Sequence, residues 1–384
     1  MRVAVIGAGA GGLVCAQELL RAGTDAVVLE ASDRVGGTWA YDPRPQQHGA
    51  MYASLRTNLP TDVMAFVDAP FEASQRFPGH AEVLAYLERY AADLRSHIRF
   101  GHRVRRLARS GDGFAVDEEH FDAVAVCTGH YHAAFVPRLP GLESFTGRAS
   151  HSHDYRTPEP FAGRRVVLLG AKASGIDISG DLVGHAAKVW LCARELGDAP
   201  ERPGIEYRAS IERIDGTELR LTDGTRLNDV DDLLFCTGYD YAFPFLEDGL
   251  VTVEPKWVHP LWLDAICIRA PRLAFIGLPF QVVPFPLMQM QSRVFAHLLA
   301  GRIPQPGPAK MLAEHEASVS ALDAEGVPRR HRFKYGPRQF DYVDRLAEMT
   351  GGPPMGAAFR AQYEAASAAR RADPDGYRDV LSLP

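Results

Sequence analysis

The 384-residue chain is short of the groups that many reaction classes require. It has five cysteines, Cys15, Cys127, Cys192, Cys236 and Cys267. They are odd in number and scattered, which excludes a disulfide framework. None forms a C-x-x-C pair, which removes structural zinc and a redox dithiol of that spacing. Lysine is scarce too: five of the 42 basic residues are lysine, and the remaining arginines reflect genome composition rather than mechanism. No block of basic residues occurs, and a net charge of −6 argues against a nucleic-acid partner. No apolar run reaches the roughly 18 residues of a membrane-spanning helix. A Ser/His/Asp or paired-carboxylate constellation is also missing. What remains is an ordinary globular composition, 46% hydrophobic and 23% charged. The length suits about two domains. The expectation is a cytoplasmic, reduced-compartment protein.

Residues Arg2 to Val14 carry one positive charge and a small-residue apolar run, but they read better as a strand entering a glycine turn than as a secretory leader. Gly7-Ala-Gly9-Ala-Gly-Gly12 fits G-x-G-x-x-G, preceded by a buried-strand pattern and followed by a helical one. Gly7 permits the tight turn, Gly9 lets the backbone approach a pyrophosphate, and Gly12 allows close helix–strand packing. The next strand pattern ends at Glu30, a carboxylate placed to accept from a ribose 2′-hydroxyl and to repel a 2′-phosphate. The loop is therefore expected to hold FAD or NAD. Gly36, Gly37, Thr38 and Trp39 follow, and two glycines there let the main chain run against something flat. Flavin-binding chains often carry such a pair, which favours FAD.

A second loop repeats the first. Arg165 to Leu169 lead into Gly170-Ala-Lys172-Ala-Ser174-Gly175, then a helical pattern. The following strand ends at Arg194, where the first unit has its acid. A guanidinium there suits a 2′-phosphate and hence NADPH. Lys172 replaces the middle glycine and is expected to add positive charge toward the phosphates. Two further strands end alike, in Cys127-Thr128-Gly129 and Cys236-Thr237-Gly238, where the glycine turns the chain away beside a cofactor. The pattern implies an α/β fold with two dinucleotide-binding units.

These motifs resemble those of the class B flavin-containing monooxygenases. The family's F-x-G-x-x-x-H-x-x-x-Y/F motif is matched by Phe145-Thr-Gly147-Arg-Ala-Ser-His151-Ser-His-Asp-Tyr155. Cys236 to Tyr239, Ser54 to Phe66, Phe77 to His80, Leu273 to Leu278, Gln339 to Tyr342 and Leu346 to Glu348 are similar to further family segments. Baeyer–Villiger relatives usually carry tryptophan where Tyr155 stands. Departures are Lys172, Cys192 in place of a frequent serine, and a length short for the family.

The resemblance implies two Rossmann-like domains, the NADPH domain inserted into the FAD domain: residues 1–157 and 271–384 for FAD, 158–270 for NADPH. It implies the cofactors FAD and NADPH, and a C4a-hydroperoxyflavin that oxygenates a soft nucleophile. The partners would be O₂ and a small sulfide, thiol or amine, with no membrane and with a homodimer common among relatives. Asn58 is the expected catalytic side chain, donating near flavin C4a; on local sequence alone it would read as an Asx-turn before Pro60. His151 and Tyr155 would hold the hinge and contact NADPH, a simpler role than metal binding. Rival readings are ketone oxygenation and a non-oxygenating flavin sensor.

Overall fold

A computed structural model describes residues 1–44, 49–196, 202–374 and 376–379. The strands of the two main sheets are, in chain order, β1 (Arg2–Ile6), β2 (Asp25–Leu29), β3 (Ile98–Arg99), β4 (Ala123–Val126), β5 (Arg148–His151), β6 (Arg165–Leu169), β7 (Lys188–Ala193), β8 (Ile205–Ala209), β9 (Asp232–Phe235), β10 (Leu261–Trp262), β11 (Ile266–Cys267) and β12 (Leu273–Phe275). The helices that matter for the site are α1 (Ala10–Arg21), α2 (Ala173–Leu182) and α3 (Pro284–Leu299).

The chain divides into two compact units. The first comprises 1–40, 59–130 and 240–364; the second comprises 41–58, 131–239 and 365–384. Among the described residues the first unit carries a seven-stranded sheet in the order β10-β11-β12-β4-β1-β2-β3. The run from β12 to β3 is parallel, while β10 and β11 join antiparallel at one edge. The near-continuous apolar strands explain the arrangement. Val3, Ala4 and Val5 are fully buried, as are Ala123, Val124 and Ala125, because both sheet faces are covered. On one face α1 lies beside α3. Glu18 of α1, buried and charged, accepts from Arg293 at 2.9 Å and Gln289 at 3.0 Å on α3. A buried carboxylate needs such partners, and the pairing ties α1 to α3.

The second unit carries a five-stranded parallel sheet in the order β8-β7-β6-β9-β5. Its core holds Val166, Leu168, Ile178, Leu182 and Leu191 against Tyr52, Tyr155 and Phe161.

The compact units do not share bounds with the domains expected from the sequence. β10 and β11 pair into the first unit's sheet, so the chain is back in that unit from Asp240 rather than Pro271. β5 pairs with β9, which draws residues from 131 into the second unit. The described residues of 41–58 and 365–379 also belong to that unit. Among the described residues no helix is long and apolar enough to cross a membrane.

Candidate functional site

Each unit builds a glycine loop by the same hydrogen bonds. In the first, Gly7 N–H donates to Leu29 at 2.9 Å and Cys127 N–H to Ile6 at 2.9 Å. In the second, Gly170 N–H donates to Cys192 at 2.8 Å and Cys236 N–H to Leu169 at 2.8 Å. Gly7 and Gly170 sit at φ +104° and +116°, which side-chain-bearing residues avoid. A Cβ on Gly7 would stand 2.8 Å from the Cys127 carbonyl oxygen, and one on Gly170 would overlap that of Cys236. Likewise a Cβ on Gly12 or Gly175 would overlap the carbonyl oxygen of Gly7 or Gly170. These four glycines are therefore required by geometry in both loops.

The middle position differs between the loops, and the backbone demands glycine in neither. Gly9 and Lys172 are the N-cap residues of α1 and α2, at φ −77° and −107°, extended backbone open to any residue. A Cβ on Gly9 would lie 3.4 Å from Gly37 Cα, in ordinary van der Waals contact with the turn that follows. Gly36 and Gly37, at φ +114° and +55°, bring the following turn against the first loop, with Gly36 N–H donating to Ala8 at 3.0 Å. Thr38 and Trp39 continue that turn as a short 3₁₀ segment, half-buried. Lys172 is exposed and its side chain makes no hydrogen bond among the described residues, so that side chain costs no strain. Ser174, in the first turn of α2, is half-buried, and Arg194, just past β7, is exposed.

Glu30 stands immediately after β2 and is 6% exposed. Its carboxylate accepts from Ala8 N–H at 2.6 Å and from Ser32 N–H at 2.8 Å and Oγ at 2.7 Å. The acid is thereby tied to the glycine loop it would serve. Neither α1 nor α2 has an acidic residue in its first turn or a side-chain cap, so their N-terminal N–H groups and partial positive charge are left for an anion. Thr128 Oγ1 is buried beside the first loop without a partner among the described residues. An orphaned hydroxyl, an uncapped helix start and a glycine cradle together fit a dinucleotide pyrophosphate. Gly129, at φ +69°, turns away with open space where a Cβ would stand.

In the second unit Thr237 Oγ1 donates to Phe135 O, and Gly238, at φ +83°, accepts from His151 Nε2 at 3.1 Å. His153 N–H donates to His151 Nδ1 at 3.0 Å, which makes Nε2 the protonated nitrogen. Burial holds the His151 imidazole below its ordinary range. Its ring meets Tyr239 edge-on at 5.1 Å. Tyr155 is buried, edge-on to Tyr52, with its hydroxyl donating to Asp181. His151 and Tyr155 of the F-x-G motif thus brace the second unit internally.

Asn58 is half-buried in the second unit. Its Oδ1 accepts from Tyr377 OH at 3.0 Å and Arg378 Nη2 at 2.5 Å, while its Nδ2 makes no hydrogen bond among the described residues. The residues leading to it are tied to α2, where Asp177 accepts from Tyr52 OH at 3.1 Å and Asp181 from Ser54 Oγ at 2.9 Å. Sequence reasoning missed Asp177, Asp181, Tyr377 and Arg378. The two acids, four apart on one helix face after the second loop, were a legible signal; the C-terminal pair offered none.

The sequence profile of a family described as flavin-binding monooxygenase-like matches residues 1–199 and 203–356. The chain belongs to that family. It is 39% identical to flavin-containing monooxygenase FMO GS-OX-like 4 of Arabidopsis thaliana, over 98% of this chain and 93% of the relative. Among solved structures, S-allyl-L-cysteine S-oxygenase from Allium sativum is 37% identical with a TM-score of 0.93, covering 99% of this chain and 95% of that one. Cyclohexanone monooxygenase, at 17% identity and a TM-score of 0.68, shares the fold. The chain spans nearly the whole length of the first two. This flavin monooxygenase is an oxidoreductase acting on small molecules with O₂, and FAD and NADPH are the cofactors of its family.

Proposed function

We propose that the protein is an S-oxygenase, converting a small thioether to its sulfoxide at the expense of NADPH and O₂. The balanced reaction is thioether, NADPH, H⁺ and O₂ giving sulfoxide, NADP⁺ and water. The observation that carries the choice of sulfur is the likeness to the S-allyl-L-cysteine S-oxygenase, which runs across nearly all of both chains. An S-alkyl amino acid or a related thioether is the substrate class it favours.

In this reading the first unit holds FAD and the second holds NADPH. FAD, when bound, takes hydride from NADPH and activates oxygen. Glu30 accepts from the FAD ribose; Gly7, Gly9, Gly12 and the start of α1 cradle its pyrophosphate; Gly36 to Trp39, Thr128 and Gly129 line its remaining length. In the second unit Gly170, Ser174, Gly175, Thr237 and Gly238 make the corresponding cradle, while Lys172 and Arg194 supply cations to NADPH. Lys172 and Arg194, exposed and with side chains unpaired among the described residues, support that role. Neutral His151 and buried Tyr155 keep the Thr237–Gly238 turn and α2 in place. Asn58 presents its unpaired amide N–H groups toward the reacting oxygen or NADP⁺, and the family match supports the assignment. Unpaired cysteines support a reducing compartment, the cytoplasm.

The test mixes the purified yellow protein with NADPH under nitrogen, admits isotopically labelled O₂, and screens thioethers, thiols, amines and ketones by mass spectrometry. A sulfoxide carrying one labelled oxygen is expected. A labelled ester from a ketone, or complete diversion of NADPH into hydrogen peroxide with every substrate, would refute the proposal.

A further inference from the structure

Asn58 is held by the far end of the chain. Arg378 is 13% exposed and places its guanidinium among three acceptors. Nη2 donates to Asn58 Oδ1 at 2.5 Å and to Asp177 at 3.1 Å, and Nε donates to the Thr57 carbonyl at 3.1 Å. Tyr377, 2% exposed, donates its hydroxyl to the same Asn58 oxygen at 3.0 Å. On the outer side Asp379 pairs with Arg56 at 2.7 Å.

The chemistry of these donors fixes the amide. A guanidinium has no acceptor, so the Asn58 atom that meets Arg378 has to be oxygen. Turning the amide over would set N–H against N–H and forfeit a charge-assisted hydrogen bond. That disfavours the flipped form on the order of ten- to a hundredfold. With Oδ1 engaged twice, both Nδ2 hydrogens point away from the clamp, and they have no partner among the described residues. Asp177 in turn holds the guanidinium, so α2, Arg378 and Asn58 form one connected set.

We propose that Tyr377 and Arg378 are positioning residues that lock Asn58 with its amide N–H groups presented as donors. The proposal rests on the reading of Asn58 as the donor at the oxygen-transfer step. Without the clamp, Asn58 samples the flipped amide, offers an acceptor where a donor is needed, and lets oxygen escape as peroxide.

The experiment compares wild type with Asn58→Ala, Arg378→Ala, Arg378→Lys and the Asn58→Ala/Arg378→Ala double variant. It measures hydrogen peroxide released per NADPH consumed with a thioether present. Arg378→Ala is expected to raise that share roughly fivefold, and Arg378→Lys, which keeps one donor, less. In the double variant the Arg378 change should add nothing to Asn58→Ala, because it acts through Asn58. A second readout is independent of turnover: brief trypsin treatment with intact-mass analysis. Arg378→Ala should lose the segment beyond Arg371 several-fold faster than wild type.

If Asn58→Ala releases no more peroxide than wild type, the underlying reading of Asn58 fails and takes this one with it. If Asn58→Ala is uncoupled and Arg378→Ala is not, the clamp alone is overturned. Multiplying effects in the double variant overturn it too, as do equal trypsin rates. Faster turnover with unchanged peroxide, the mark of a segment that only obstructs, overturns the clamp as well. Should Arg378→Ala not accumulate as a folded yellow protein, Tyr377→Phe removes a single hydroxyl. About a doubling of peroxide is then expected, and no change overturns the assignment.

Discussion

Gly37→Ala adds one methyl group at a position where two separate costs coincide. The first is backbone strain: Gly37 sits at φ +55°, and a side chain there costs about 1–2 kcal/mol, partly offset by the stiffer unfolded chain. The second is contact. The new Cβ would stand 2.8 Å from Gly9 Cα, whereas carbon atoms pack at about 3.5–4.0 Å. The turn and the glycine loop must therefore separate by roughly an ångström. That moves the start of α1, whose N–H groups receive the pyrophosphate. Gly23→Ala supplies the control, since Gly23 has φ +87° with nothing within 4 Å of its Cβ position. Gly23→Ala should lose about 1 kcal/mol, a drop of roughly 2–4 °C in Tm, and Gly37→Ala more, because the clash adds to the strain. Only Gly37→Ala should also weaken FAD binding, by about tenfold, or ~1.4 kcal/mol. Titration of flavin fluorescence on stripped protein measures the affinity, and calorimetry the Tm. Equal FAD affinity in the two variants would refute the argument from close approach.

Lys172→Ala should leave stability within about 0.5 kcal/mol of wild type, as an exposed side chain without partners should. It should also raise the NADPH KM several-fold and flatten its salt dependence, and unchanged values at both low and high salt would remove Lys172 from the site. Arg194→Glu should reverse the preference for NADPH over NADH, read as the ratio of kcat/KM values; an unaltered ratio would make Arg194 an ordinary surface residue. Stability should fall as pH drops below 6.5. Burial lowers His151 from its ordinary 6.5, and the same first cause lowers His153, His259, His297 and His315. The unfolded chain then takes up protons that the folded chain refuses, so stability present above that pH is lost through the window beneath it. His151→Asn should shrink the Tm difference between about pH 7 and pH 5.5, and an undiminished difference would exclude His151 as a contributor.

The two nucleotide units were legible because their signals are local. Gly7 to Glu30 and Gly170 to Arg194 each lie within one strand–helix–strand stretch, where a glycine is demanded by a carbonyl close by in space. Lys172 looked like a flaw in the second loop, yet the middle position is extended backbone in both loops and open to any residue. The edges of the units were less readable. The short strands at Leu261–Trp262 and Ile266–Cys267 have too few residues to declare their sheet, and only pairing with Leu273–Phe275 assigns them. The clamp on Asn58 joins side chains about three hundred positions apart. Periodicity and spacing carry no record of such a contact.

The cysteines bear on a hazard that the chemistry itself creates. A flavin monooxygenase that misfires releases hydrogen peroxide inside its own fold, and peroxide attacks thiolates rather than thiols. All five cysteines are buried and unpaired. Burial pushes Cys192 and Cys236 up to about 12, and it raises Cys127 and Cys267 as well. Cys127 and Cys236 lie next to the two glycine loops and are held there as buried thiols. Repeated failed turnovers should therefore leave Cys127, Cys192, Cys236 and Cys267 reduced.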